Sequence, residues 1–276
     1  MIQILSDGHH LPINRACSIA KLSRAAYYKP KLDWLVRDGP IIEALSRIIA
    51  VERWGFWKCY DRLRLLGHRW NHKRVYRVYC QMNLNLPTKA KRRLPTRLRQ
   101  SMIVVPQINA VWAIDFMHDA LYGGRAIRTF NVIDEANREA LGIDVATSIP
   151  SVRVTSFLSQ MIQVYGKPDA IRCDNGPEFI AQHFIDWCAN RGINVLYIQP
   201  GKPDQNAFIE RFNRTYRAGV LNTFLFDSIS QVQEETDLWI KRYNEERPHD
   251  ALGHLPPVTY RQQKLTVENS TLEMST

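Results

Sequence analysis

The chain has 276 residues, a formal net charge of +10 and 45% hydrophobic residues. That length and apolar content suffice for one large or two modest domains with a real core. The sequence shows no charged-then-apolar signal pattern and no apolar run near the ~20 residues that span a bilayer, so we expect a cytoplasmic protein. The five cysteines form no CxxC pair, which argues against a zinc knuckle and a disulfide framework.

The charge is divided unevenly along the chain. Residues 1–100 hold 21 Lys/Arg against 6 Asp/Glu, whereas residues 101–276 hold 16 against 21. A basic front part followed by a mildly acidic part is typical of a nucleic-acid-binding region joined to a region with carboxylate chemistry. The predicted division is a helical region at 1–86, a basic linker at 87–105, a core at 106–264 and a disordered polar tail at 265–276.

The first 86 residues predict short helices. INRACSIAKLSRAAYYK has a helical pattern that restarts at LSRAAYY, where Ser23 can cap the second helix. Leucines and isoleucines recur at helical spacing over residues 41–52, directly after Pro40, which suits a first helical turn. Two further helices follow in GFWKCYDRLRLLGHRWNHKRVYRVY, and the first of them should end near Gly67.

The second of these helices carries Lys73, Arg74 and Arg77 on one face. Helix, tight turn and basic helix are typical of a helix-turn-helix whose second helix contacts DNA, so we predict DNA contacts for these three residues. A solvated basic face on an ordinary helical bundle is the alternative. The linker PTKAKRRLPTRLRQ is either a solvated tether or a source of further phosphate contacts, including Arg92 and Arg93.

Strands and helices alternate from residue 109 onward. AVWAIDFM, RTFNVIDEA and ALGIDVAT predict three consecutive strands. The elements predicted after them are a helix capped by Ser151, a strand at DAIRCD, a helix from Glu178 with Ile180 facing inward, a strand at NVLYIQP, a helix through Glu210 and a last helix at 230–246. This order predicts an α/β fold with a mixed five-stranded sheet flanked by helices.

Three carboxylates lie on three separate elements of this pattern. Asp115 interrupts an apolar strand, Asp174 follows a strand at an Asn-Gly turn, and Glu210 lies on the polar side of an amphipathic helix. Carboxylates that converge repel one another unless a cation such as Mg²⁺ is bound, so convergence would indicate a divalent-metal site acting on phosphodiesters. Periodicity alone does not separate these acids from Asp119, Asp134, Asp144 and Asp204.

The segments WAIDF, CDNGPEF and PGKPDQNAFIERFN resemble the D, D, 35, E pattern of the integrase-type catalytic core. With GFWKCYDRLRLLGHRWNHKRVYRVY and YNEERPHDALGHLPP, the chain resembles bacterial insertion-sequence transposases encoded by the second reading frame of the element. The resemblance implies a ribonuclease-H-like fold, a catalytic and metal-binding triad of Asp115, Asp174 and Glu210, and Mg²⁺ with Mn²⁺ as a substitute. It also implies cleavage and strand transfer at the DNA ends of the element.

The partners implied by the resemblance are double-stranded DNA (element ends and target), further copies of the chain in a synaptic complex, and the upstream-frame product. Bound to DNA, the protein would be associated with the nucleoid. Further DNA contacts are expected at Asn175, Lys202, Asn206, Arg214 and Arg217. His249 in RPHDALG fits a functional role or a packing role equally well. Alternative functions are a DNA-binding regulator of transposition without catalytic activity and a ribonuclease-H-type nuclease.

Overall fold

The computed structural model describes residues 10–28, 34–86, 107–199 and 206–273, with three isolated positions before residue 10. The basic linker with Arg92 and Arg93, and the loop with Lys202 and Asp204, lie outside the described residues. All five cysteines are free thiols. Within the described part of the chain, no helix is both long and apolar enough to cross a membrane.

The N-terminal region is helical, as predicted. Its helices are α1 (Ile13–Ile19), α2 (Arg24–Tyr28), α3 (Trp34–Val51), α4 (Phe56–Leu65) and α5 (His72–Gln81). The Ser23 hydroxyl caps α2 by accepting the backbone N–H of Ala26 at 3.2 Å. Gly67, just beyond α4, has a φ of +89° that favours glycine. A small core that includes Leu45, Leu63 and Val75 joins α3, α4 and α5.

The start of α3 differs from the prediction, because the helix begins at Trp34 and contains Pro40. Asp38, in the turns before the proline, is 2% exposed. It accepts hydrogen bonds from Arg74 Nε at 2.9 Å and Arg77 Nη2 at 2.6 Å. These contacts from α5 stabilise helical turns that Pro40 alone would not favour, since proline cannot donate a backbone hydrogen bond.

The core contains the predicted mixed five-stranded sheet. Its strands are β1 (Val111–Ala120), β2 (Ala126–Asp134), β3 (Ala140–Ala146), β4 (Ala170–Cys173) and β5 (Asn194–Tyr197). The spatial order is β3-β2-β1-β4-β5. The first three strands pair antiparallel, whereas β4 pairs parallel with both β1 and β5.

Helices cover both faces of the sheet. They are α6 (Ser151–Tyr165), α7 (Pro177–Ile180), α8 (Gln182–Asn190), α9 (Ala207–Tyr216), α10 (Ile229–Glu245) and α11 (Pro257–Glu273), with a π-helical turn at Arg217–Leu221 and a 3₁₀ turn at Asp250–Leu252. Successive β1 side chains alternate between the faces. Ala113 and Met117 belong to the apolar cluster under α9 and α10. Trp112 and Ile114 belong to the cluster under α6, α7 and α8.

Three local predictions were wrong or differ from the structure. Pro150, rather than Ser151, is the N-cap of α6, and the Ser151 hydroxyl is buried without a partner. The helix predicted from Glu178 is interrupted at Ala181, which leaves Ile180 53% exposed. There the Tyr197 hydroxyl donates to the Phe179 carbonyl at 2.8 Å, occupying a group that a continuous helix would use internally. Helix α11 continues beyond residue 264, where the composition predicts disorder.

Candidate active site

Two of the three acids lie side by side at the edge where β1 and β4 run parallel. The paired residues include Val111 with Ala170 and Ala113 with Arg172. Continuing that register by two residues places Asp115 beside Asp174, which follows directly after β4. Neighbouring strands lie about 4.8 Å apart, and residues in register point to the same face. The sheet therefore brings these two carboxyl groups to one location.

The third acid reaches this location from α9. Asn213 of that helix is 9% exposed, and its amide nitrogen donates to Asp115 Oδ2 at 2.7 Å. Glu210 lies three residues before Asn213, so both side chains project from the same side of the helix. Asn131 of β2 in turn donates to Asn213 Oδ1 at 2.6 Å. Asn131 and Asn213, which we call the amide relay, thus fix the orientation of the Asp115 side chain.

The electrostatics of Asp115 reflect this arrangement. Burial raises the pKa of Asp115 to about 6, the Phe116 backbone N–H opposes the rise, and the negative charges of Asp174 and Glu210 add to it. A bound cation would relieve both the burial cost and the repulsion, because it favours the ionised carboxylate. The oxygen donor set fits a hard divalent cation such as Mg²⁺.

The ligand oxygens of Asp115, Asp174 and Glu210 do not all lie within 4.8 Å of one another. Within the described ranges, one group of three possible ligands lies within 4.8 Å of one another, and it consists of Asp61, Asp250 and His254. Those residues join α4 to the 3₁₀ turn after α10 and are not the predicted triad. Sequence reasoning did not single them out, since they come from distant segments without ligand spacing.

The competing acids already have other partners. Asp119 Oδ2 accepts from Arg217 at 2.8 Å, and Asp144 holds Arg153 through two hydrogen bonds of 2.6 and 2.8 Å. Asp134 accepts two backbone N–H groups, at 2.6 and 2.7 Å. These three carboxylates are thus engaged in holding the fold.

The predicted DNA-contact residues of α5 divide into two kinds. Lys73 is exposed. Arg74 and Arg77 share the buried Asp38, which partly neutralises them. DNA contact by these three residues stays a prediction. The alternative of a solvated basic face does not describe the two arginines, because the facing surface of α3 holds an acid that the periodicity of α5 does not reveal.

The predicted contacts in the core also differ in environment. Arg214 is exposed and lines a concavity with Glu210. Asn175 is exposed, and its amide donates to the Ile198 carbonyl at 3.2 Å. Asn206 is 5% exposed, with Oδ1 unpartnered. Arg217 donates to Asp119 and to the His118 carbonyl, so part of its donor capacity is already used.

Sequence reasoning missed the amide relay. Helical periodicity assigned Asn213 to the polar, solvent-facing side of α9, but the residue is buried against β1. Asn131 lies between Phe130 and Val132 in β2, and all three residues are fully buried. An amide between two apolar residues of a strand is the signal that could have found it, since buried polar groups need partners.

Comparison with known proteins agrees with this architecture. Two models described as "Integrase core domain" match residues 106–203 and 191–257. A protein of insertion element IS476 from Xanthomonas euvesicatoria is 35% identical, over 91% of this chain and 73% of that protein. A protein of insertion element IS407 from Burkholderia multivorans is 34% identical, over 88% of each. A candidate transposase for IS986/IS6110 from Mycobacterium tuberculosis is 26% identical, over 81% of this chain and 87% of that protein.

The mixed sheet, its flanking helices and the matched segments define an integrase-type core with the predicted ribonuclease-H-like architecture. The matched models span all five strands and continue to the 3₁₀ turn after α10. The extended similarity to insertion-element proteins runs through the helical region as well. The chain belongs to the insertion-sequence transposases of the retroviral-integrase superfamily.

Proposed function

We propose that the protein cleaves DNA at the ends of its insertion element and transfers the resulting strands to a target, using Asp115, Asp174 and Glu210. The observation that supports this proposal is the parallel register of β1 and β4, which continues to Asp115 beside Asp174, together with the hydrogen bond to Asp115 from Asn213 on the helix of Glu210. Three acids from two strands and a helix that repel one another are costly unless they serve a cation.

Mg²⁺, or Mn²⁺ in its place, would be held by these three carboxylates and would supply Lewis-acid activation of the attacking oxygen and stabilisation of the leaving oxygen. The residues themselves position the reaction. Asn213 and the Phe116 N–H each occupy one oxygen of Asp115, which fixes the carboxylate plane. Asp174 is fixed similarly, because its Oδ1 accepts the Gly176 N–H at 2.9 Å.

The reaction has two displacements at phosphorus. In the first, a water oxygen attacks, the P–O3′ bond breaks, and the leaving group takes up a proton as a 3′-hydroxyl. In the second, that hydroxyl oxygen attacks a target phosphodiester, so that one P–O bond forms as another breaks. The second step conserves the number of phosphodiester bonds and needs no nucleoside triphosphate. No protein nucleophile takes part in either step.

The proposed partners follow from this chemistry. Double-stranded DNA is the substrate, with the element ends and the target bound together by more than one copy of the chain. The upstream-frame product is a further proposed partner. Among the proposed DNA contacts that the structure describes, Lys73, Asn175 and Arg214 are exposed.

The test is a cleavage assay on supercoiled DNA that carries the element ends, with Mg²⁺. The wild type should nick at the ends, and Asp174→Asn should lower the rate by roughly 10³-fold or more while DNA retention changes little. Asp174 is exposed, so this variant should fold. The control is Asp186→Asn, an exposed carboxylate that accepts a hydrogen bond from Gln182 on its own helix and bonds to no other described residue, so this variant should cleave normally.

Equal cleavage by Asp174→Asn and wild type would overturn the assignment of the acids. End-specific binding without cleavage by the wild type, with Mg²⁺ or Mn²⁺, would favour the regulator. Cleavage of RNA in an RNA–DNA hybrid without cleavage at the element ends would favour the nuclease.

A further inference from the structure

A cationic pocket lies beside the candidate active site. Its volume is about 120 Å³. Its basic residues come from four separate segments: Lys58 of α4, Arg138 of the turn between β2 and β3, Arg211 of α9 and Arg247 of the loop after α10. We call these four residues, together with His249, the arginine pocket.

The positive charge of the arginine pocket is poorly compensated. Among the described residues, Arg138, Arg211 and Arg247 form neither an ion pair nor a side-chain hydrogen bond. Lys58 donates to the Pro248 carbonyl at 2.9 Å and lies 3.8 Å from Asp250. Asp250 is the one acidic residue in the lining, and its side chain is 66% exposed. From outside the lining, Glu135 acts on Arg138 and Glu52 acts on Arg247, but these two acids already pair with Arg172 and Arg242, so the pocket keeps a net positive charge.

Two buried polar atoms of the pocket have no partner. They are Nη1 of Arg138 and Nε2 of His249. Burial and the surrounding positive charges of Arg247, Lys58, Arg138 and Arg211 lower the pKa of His249 to about 3, so the imidazole is neutral. A neutral imidazole can still donate one N–H. A buried donor without a partner is destabilising, and a ligand oxygen would remove that penalty.

Aromatic rings hold two of the guanidinium groups in place. Arg138 lies 3.3 Å from the centroid of the Phe208 ring, and Arg247 lies 5.9 Å from those of Trp54 and Tyr243. Side chains fixed in this way lose little conformational entropy when they bind an anion.

A second concavity connects the arginine pocket to the acids. It is lined by Ala207, Glu210, Arg211, Arg214, Thr215 and Arg247. Arg211, Thr215 and Arg247 line both spaces, and Glu210 lines the second. A polyanionic strand placed at Glu210 would therefore reach the arginine pocket without crossing an acidic surface.

We propose that the arginine pocket binds a backbone phosphate of the DNA strand whose neighbouring phosphodiester lies at Asp115, Asp174 and Glu210. The assignment rests on the proposed function, which makes DNA the substrate. Guanidinium groups match phosphate oxygens in geometry and stay charged, and the unpartnered His249 N–H supplies a further donor. The pocket thus fixes the position of the strand rather than taking part in the reaction.

The test measures binding of full-length protein to double-stranded element-end DNA without divalent cations, so that its outcome does not depend on cleavage. Arg138→Gln with Arg247→Gln should lower affinity roughly tenfold at 0.15 M salt, and the slope of log K against log salt should become shallower by about 0.9 for each phosphate that the variant no longer binds. Arg211→Gln, on an exposed side chain, gives a second variant without a folding risk and should move the slope in the same direction. Arg125→Gln, an exposed arginine next to β2, is the matched control.

The proposal would be overturned if the pocket variants had the same DNA affinity, and the same slope of log K against log salt, as Arg125→Gln. A separate arm adds inorganic phosphate and follows thermal unfolding. If phosphate stabilises the wild type but not the variants while DNA binding is unaffected by the substitutions, the pocket takes free phosphate and the DNA assignment is wrong. A shallower slope in a protein that fails to cleave would leave the pocket in place and overturn only the proposed catalysis.

Discussion

Asp38→Asn should destabilise the helical region by about 2–3 kcal/mol. The carboxylate is 2% exposed and accepts hydrogen bonds from Arg74 at 2.9 Å and Arg77 at 2.6 Å. Burial alone would raise the pKa of Asp38, but the hydrogen bonds and charges of Arg77 and Arg74 outweigh it and lower the pKa. Removing one partner of a fully buried pair costs about 3–5 kcal/mol. Here the arginine side chains are 28% and 37% exposed and can turn to water, which reduces the cost.

The measurement is hydrogen exchange of the full-length protein, read at the amides of α3 and α5. The variant should exchange faster there by about 30- to 150-fold, the equivalent of 2–3 kcal/mol, while the strands of the sheet keep their protection. Glu43→Gln is the control, because Glu43 pairs with Arg47 on the surface of α3 and such pairs contribute about 0–1 kcal/mol. If the amides of Asp38→Asn exchange at the same rates as those of this control, Asp38 does not hold α3 to α5. Arg74 and Arg77 would then become stronger candidates for DNA contact.

Two further predictions concern packing and pH. Gly219→Ala should destabilise the protein by about 2 kcal/mol or more, because a Cβ there would lie 2.4 Å from Trp239 Nε1, whereas Gly123→Ala, with open space around it, should change the melting temperature little. Equal melting temperatures of the two variants would contradict the close approach at Gly219. Since the folded pKa of His249 lies below its unfolded value, its contribution to stability is present above pH 6.5 and is lost as pH falls towards 3. Wild type should therefore lose about 3 kcal/mol more than His249→Phe between pH 7 and pH 4, as measured by urea unfolding, and parallel curves would refute the neutral, buried imidazole.

Sequence periodicity was sufficient for the sheet, because β1, β2 and β3 each alternate between two apolar clusters and each change of period marks a new element. It also placed Asp115, Asp174 and Glu210 on the elements where they are found. Periodicity did not predict the environment of a helical side chain where that environment depends on the element packed against the helix. Asn213 and Arg74 were both assigned to polar faces, yet the first packs against β1 and the second against a buried acid. A helical pattern predicts the direction in which a side chain projects, but it does not predict which residues of other elements the side chain contacts.

The arginine pocket shows the same limit over longer distances. Its members come from distant segments of the chain: Lys58 donates to the carbonyl of Pro248, which lies 190 residues later, between Arg247 and His249. No short sequence spacing links these segments, and each of the four basic residues, taken alone, would be predicted to be an ordinary surface cation. Only the packing of α4 against the loop after α10 brings them together, so tertiary structure was needed to find the pocket.

The amide relay from Asn131 through Asn213 to Asp115 has a direction. The Asn131 amide donates a hydrogen bond to the side-chain oxygen of Asn213. Because that oxygen is engaged, Asn213 presents its NH₂ group to Asp115. If residue 131 offered only an acceptor, the Asn213 amide would turn over and aim its oxygen at Asp115, which would then favour a protonated carboxyl group. A side chain two steps away from the acids, on a strand that carries none of them, thus sets which charge state of Asp115 the fold prefers.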